Sequence, residues 1–353
     1  MIVRRVIAGG ICTVGTLVGG SLASGQDHAW PIDKTSKVHA LGNSSREFQL
    51  WPDILDPFYH GGVDIPMPDP RQKPRAVRAV IDGRARLILE PDEPRYSIIE
   101  LFPPGTKGTR YVYVHVDSKS VPEHIPAEYE RNGFADVKKG DSLGIVVDWH
   151  ECDFHHLHFA HHERCNRNGK NCSQIDPLMH LDPNKDSVKP VVDSIYFAMN
   201  ESDTYFDGPV SGDVDIVAEM FDRVYSGWRE KTDHKTGISN ATFRIERKTG
   251  SDWNKVSEID SLFPTRGEVP PHSSASTMFK TSGSLVSNSN VCLGEKYYYV
   301  LTNRVGPNPD GFWDTDGGSF PDGRYRIVVR AWDQQGKTGE RKREVEVANR
   351  NRN

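Results

Sequence analysis

The stretch "DFHHLHFAHH", residues 153–162, mixes imidazoles with apolar side chains at a spacing of two. Read as a β-strand, in which residues two apart share a face, it projects His156 and His158 together into one cavity. His155, Leu157 and Phe159 then face the other way. Two neighbouring imidazoles suit a zinc ion, which takes nitrogen, oxygen or sulfur donors in a tetrahedron. A structural site fills all four positions with protein, whereas a catalytic site keeps one for water. Donors able to complete the set stand in "FYHGGVDIPM", residues 58–67, where His60 and Asp64 lie four apart. The Gly61-Gly62 pair between them serves turn geometry and close backbone approach.

Working outward, the flanking sequence reads as strands. "AVRAVIDGRARLIL", residues 76–89, alternates on both sides of Asp82-Gly83, which predicts a hairpin. "RYVYVHVDS", residues 110–118, alternates too. Its period places Val112, Val114 and Val116 in a core, and Tyr111, Tyr113, His115 and Asp117 on an accessible face. Further on, "DVDIVAEMFD", "ATFRIERK", "EKYYYVLTN" and "GRYRIVVRAWD" are period-2 segments between turn-rich loops. In the last of these, Tyr325, Ile327, Val329 and Ala331 make one face. The second half therefore resembles an immunoglobulin-like β-sandwich. Proline, aspartate and lysine crowd at "LDPNKDSVKPVVDSI", residues 181–195, and mark a boundary.

The chain has 353 residues, 36% hydrophobic and 26% charged, with 31 glycines and 23 prolines. That composition favours a folded chain of short strands and many turns. The net charge of −5 and the lack of a basic stripe argue against a nucleic-acid partner. Arg4 and Arg5, the apolar run "VIAGGICTVGTLVGG" and the small residues "SLASGQ" describe a secretory signal cut after Ala23 or Gly25. No other segment has the length and hydropathy to span a bilayer. Cys12 leaves with that signal, and Cys152, Cys165, Cys172 and Cys292 remain. An even count in an exported chain reads as disulfides. Cys165 and Cys172 flank the turn-forming "NRNGKN" and are the favoured pair; a second zinc site made from these thiols and nearby histidines is the alternative.

The ordered set His60-Gly61-Gly62-Val63-Asp64, Tyr113-Val114-His115 and His156-Leu157-His158-Phe159 resembles the lysostaphin-type zinc metallopeptidases, which cut peptide bonds in bacterial peptidoglycan. "AVRAVIDGRA" and "VKKGDSLG", between these motifs, are similar to the family's strand pair and turn. The resemblance covers about residues 58–160. It implies zinc held by His60, Asp64 and His158, with His115 and His156 as catalytic histidines beside it. His156 would be the general base toward water and His115 the oxyanion stabiliser, or the reverse. It also implies an all-β fold: a groove-bearing antiparallel sheet domain over 58–185, after an N-terminal arm over 26–57 and before the sandwich over 188–350.

The chain departs from the family in "VVDWHECDF", residues 146–154, where Trp149 and Phe154 bring bulk to a groove wall that is glycine-rich in the family. The long insertion "VDSKSVPEHIPAEYERNGFAD", residues 116–136, predicts a helix near 127–132. The expected product is a secreted or periplasmic zinc endopeptidase acting on peptidoglycan peptides. The alternative is a zinc-containing module of the cell envelope that binds peptide or glycan without cutting. The remaining histidines, His150, His155, His161, His162 and His180, are expected to be exposed. The arm, with His28 and His39, is expected to be solvated rather than laid across the cleft. Asp310, Asp314 and Asp316 are expected in a solvated turn rather than a calcium site.

Overall fold

The computed structural model describes residues 28–349 except 51–55, 91–92, 94, 149–153, 167–170, 184–185, 187, 224–234, 260, 264–266, 290–294 and 307–308. The readings for the signal segment, Trp149, His150, Cys152 and Cys292 lie outside the described residues.

The chain is all-β, as its alternation predicts, and among the described residues its strands pair with one another antiparallel. The first half contributes β1 (Phe48–Gln49), β2 (Phe58–Tyr59), β3 (Val63–Pro66), β4 (Ala76–Arg78), β5 (Gly83–Leu89), β6 (Tyr96–Phe102) and β7 (Arg110–Asp117). Helix α1 (His124–Asn132) follows, then β8 (Ala135–Val137), β9 (Ser142–Ile145), β10 (His156–Glu163) and β11 (Ser173–Ile175). Seven of these strands form one sheet in the order β11-β10-β7-β6-β5-β8, with β3 also on β10. β10 thus runs through the interior of the sheet: β7 lines one edge, and β3 and then β11 line the other. Its odd-numbered face, with Leu157 and Phe159, packs into a core with Val63, Ile65, Ile99, Tyr111 and Tyr113.

Two readings of this half are corrected. The Asp82-Gly83 hairpin does not form. β4 pairs with β9 in a separate two-stranded ribbon, whereas β5 pairs with β6 and β8. The Asp82 carboxylate accepts the backbone N–H of Lys139 instead, so this turn bridges two sheets. The alternation of β7 also fails at one point. Tyr111 and Tyr113 are buried in the core rather than accessible. His115 has φ +69°, a left-handed conformation rare for a residue with a Cβ. This kink resets the strand's alternation, so Val116 joins the same core as the tyrosines. The helix expected in the insertion forms as α1 and ends at Gly133, whose φ of +75° provides the left-handed cap.

The second half carries β12 (Val191–Met199), β13 (Asp213–Phe221), β14 (Asn240–Thr249), β15 (Asp252–Ile259), the short α2 (Ala275–Met278), β16 (Tyr298–Val300), β17 (Trp313–Asp314), β18 (Gly323–Trp332) and β19 (Thr338–Val347). β12, β13 and β16 with β17 make one sheet, and β15-β14-β18-β19 make another. Phe197, Ile216, Ala218 and Met220 of the first meet Phe243, Ile245, Tyr325, Ile327, Val329 and Ala331 of the second in one core. The face predicted for β18 is the one that is buried. In the 308–323 segment, Asp314 Oδ1 accepts the N–H groups of Asp316 and Gly317, a local turn.

The arm is not solvated. Trp30, Ile32 and Leu41 are buried in the first core, and Phe48 in the second. Burying large apolar side chains stabilises by about 1.5–3 kcal/mol each, which outweighs the freedom of a loose strap. Among the described residues no helix is long and apolar enough to cross a membrane.

Candidate metal centre

The register of β3 against β10 builds the site. Asp64 sits directly opposite His158, and Pro66 opposite His156. Because cross-strand partners share a face, Asp64, His156 and His158 all point away from the core that Leu157 and Phe159 fill. His60, in the turn before β3, reaches the same point. Its Nε2 is 3.2 Å from Asp64 Oδ1 and 2.9 Å from His158 Nδ1, and His158 Nδ1 is 2.9 Å from Asp64 Oδ1. His156 Nε2 lies 3.8 Å from the same carboxylate oxygen. The His115 ring stands 4.7 Å from that of His156 and 6.4 Å from that of His158. The structure therefore brings together all five side chains singled out from the sequence.

Glycine is required at 62. A Cβ there would lie 2.5 Å from the Phe159 carbonyl oxygen and 2.9 Å from His158 Nε2. The absence of a side chain lets the turn pass over the His158 ring. Backbone carbonyls fix the tautomers of two imidazoles. His60 Nδ1–H donates to Ser44 O at 2.9 Å, which aims Nε2 at the cluster. His156 Nδ1–H donates to Phe154 O at 2.8 Å, which turns its Nε2 inward in the same way. The Phe154 ring stacks on His156 at 4.3 Å, and Gly42 leaves room for that ring. Ser44 and Gly42 carried no legible mark in the sequence; their role comes from backbone atoms and from space.

Burial and charge tune the cluster. Burial resists ionisation of Asp64, yet the charges of His60 and His156 and the hydrogen bonds from His158 and His60 hold its carboxyl well below the usual range. Burial opposes the charge on His60 too, but the adjacent Asp64 prevails and lifts it to about 9. Burial, reinforced by the neighbouring histidines, keeps His115 well below an ordinary imidazole, and burial also lowers His158.

The donor set of His60 Nε2, Asp64 Oδ1 and His158 Nδ1 fits a divalent zinc-type cation. Bonds of about 2.0–2.1 Å in a tetrahedron put ligand atoms about 3.3 Å apart, close to the separations here. His158 is the most accessible of the three at 21% side-chain exposure, so the cluster opens to solvent on one side.

The other histidines are mostly enclosed. His155 and His161 are each 2% exposed, because β10 is flanked on both edges and its odd face is the core. His162 accepts the Arg110 Nε–H at 3.2 Å, and burial pushes it down to about 4. His39 donates to Lys34 O, outside the cluster. Cys165 and Cys172 are disulfide-bonded and close the hairpin of β10 and β11.

An all-β chain thus gathers three candidate donors with two further imidazoles beside them. Among solved structures it is similar to the antimicrobial peptidase lysostaphin from Staphylococcus simulans, at 14% identity and a TM-score of 0.33, over 83% of this chain and 99% of that one. A solution structure of lysostaphin aligns at 15% identity and a TM-score of 0.28, over 79% and 99% of the two chains. No protein-family model and no curated protein matches the sequence.

Proposed function

We propose that this chain is an exported zinc endopeptidase that hydrolyses peptide bonds in bacterial peptidoglycan. The observation that carries the reading is the convergence of His60, Asp64 and His158 within 2.9–3.2 Å, with His115 and His156 alongside. The export and the peptidoglycan substrate rest on the leader-like first 25 residues and on the ordered motifs. We also read 58–185 as the catalytic domain and 188–350 as an immunoglobulin-like unit that positions it.

His60, Asp64 and His158 would hold the ion, which when bound supplies Lewis-acid activation of a water molecule and of the peptide carbonyl. His156 accepts the water's proton at Nε2, since Nδ1 keeps its own proton on Phe154 O. It then returns that proton to the departing amine. His115 donates a hydrogen bond to the carbonyl oxygen as negative charge builds there. Phe154, packed flat on His156, excludes water from one side of that ring and holds its orientation.

The test is hydrolysis of purified peptidoglycan, followed by release of new amino groups. His115→Ala is expected to keep its zinc and to lose about 10²-fold or more in rate. Chelation is expected to abolish turnover and zinc to restore it. A His115→Ala protein that cuts at the wild-type rate overturns the role given to His115. A wild-type protein that binds zinc and peptidoglycan without cutting leaves the non-catalytic binding module as the correct reading.

A further inference from the structure

The odd-numbered face of β10 carries a second cluster that the proposed chemistry does not use. His161 and Glu163 share that face two residues apart, and His180 follows the short turn Pro177–Met179. One donor atom from each lies within 4.8 Å of the others. His161 is 2% exposed, and neither of its ring nitrogens has a hydrogen-bond partner. A buried polar atom left so costs about 1–3 kcal/mol, which a native fold rarely tolerates without a reason. The distance from His161 Nε2 to Glu163 Oε1 is 3.5 Å. That is long for a hydrogen bond and near the roughly 3.3 Å expected between two ligands of one tetrahedral cation. The His180 ring stands 4.8 Å from that of His161, nearly edge-on.

We propose that His161, Glu163 and His180 form a second site for a zinc-class divalent cation, one that braces the fold and takes its remaining position from solvent. Two imidazoles and one carboxylate are a donor set for zinc rather than for calcium or magnesium, which prefer oxygen. Burial holds His161 down at about 3 and also lowers His180, so both present neutral rings. The site joins three pieces of chain. β10 supplies His161 and Glu163, and the Cys165–Cys172 disulfide lies just beyond Glu163. The turn supplies His180. The arm is fastened beside it: His28 N–H donates to His180 O at 2.8 Å, Asp182 N–H donates to His28 O at 2.8 Å, and the His28 ring hydrogen-bonds the Tyr111 hydroxyl. Tyr111 in turn stacks on His161 at 4.7 Å. A cation here would pin the start of the arm to the sheet, on the face opposite the His60 cluster.

The experiment strips the purified full chain with chelator, adds back Zn2+ alone, and counts bound zinc by mass spectrometry after dialysis against submicromolar free metal. The wild type is expected to hold two equivalents and His60→Ala one. Glu163→Gln and His180→Ala are each expected to hold one while still hydrolysing substrate. Glu163 has 39% of its side chain exposed, so Glu163→Gln is a mild change to folding. Added zinc is expected to raise the melting temperature of His60→Ala but not of His60→Ala combined with Glu163→Gln. Retention of two equivalents by both Glu163→Gln and His180→Ala overturns the proposal, as does a His60→Ala protein that binds none. Neither result depends on whether the His60 cluster is catalytic.

Discussion

At the scale of single residues, the convergence of five side chains was legible in part from spacing and in part from the motif resemblance, which alone singled out His115. His156 and His158 share a strand face by parity alone. The atoms that orient them were not legible, since a carbonyl such as Ser44 O has no sequence signature. Buried carboxylates escaped notice for a similar reason. Asp222 is 4% exposed, and burial pushes its pKa up to about 7, with Asp186 and Asp333 adding to the rise. The Arg223 backbone N–H donates to Asp222 Oδ1 at 2.8 Å, and Lys337, whose ammonium is 3.7 Å from Asp333 Oδ2, offsets part of the rise. An acid raised on folding holds a proton that the unfolded chain has lost. Between pH 4 and 7, therefore, its contribution to stability falls as pH rises, by up to about 1.4 kcal/mol per pH unit. Asp222→Asn removes this dependence. Thermal unfolding is expected to show a gain in melting temperature for Asp222→Asn that is larger at pH 8 than at pH 5; equal gains at both would assign the shift elsewhere.

At the scale of elements, strand existence was readable and strand partnership was not. The period-2 pattern marks β5, β7, β13, β14 and β18, but Asp82-Gly83 sits between strands that belong to different sheets. A local turn signal cannot report which distant strand wins the pairing. β7 shows how one residue breaks a pattern. Strict alternation would put His115 on the tyrosine side, in the core. The positive φ at His115 brings its ring against His156 instead, and the strand accepts the strain. A left-handed conformation costs a residue with a Cβ about 1–2 kcal/mol relative to glycine. His115→Gly is therefore expected to raise or hold stability, by up to about 1 kcal/mol in urea unfolding, while losing hydrolysis. A marked loss of stability in that variant would mean that the kink is unstrained and the histidine is held by packing.

At the scale of the whole molecule, the arm links the two cores and the metal centre. Glu47 is fully buried; its carboxylate accepts the Tyr297 hydroxyl at 2.6 Å and the Ser44 N–H at 2.8 Å. Ser44 in turn holds His60. A path of hydrogen bonds thus runs from the sandwich of the second half to the cluster. Composition suggested a solvated arm because residues 33–46 are rich in polar side chains. It gave no warning that Arg46 and Glu47 would be enclosed between two cores. Phe48 is completely buried, with its ring 5.2 Å from that of Phe279. Phe48→Ala is expected to cost about 3–5 kcal/mol in equilibrium unfolding, as for a core aromatic. A change within roughly 0.5 kcal/mol would return the arm to the status of a surface strap.

His60, Asp64 and His158 are expected to hold one cation on the face of β10 that points away from the core. Crystals grown with zinc, with diffraction recorded on both sides of the zinc absorption edge, place the ion directly. An anomalous peak is expected about 2.0–2.2 Å from His60 Nε2, an Asp64 carboxylate oxygen and His158 Nδ1. An empty difference map at that point, or a zinc bound through His158 Nε2 without His60, would contradict it.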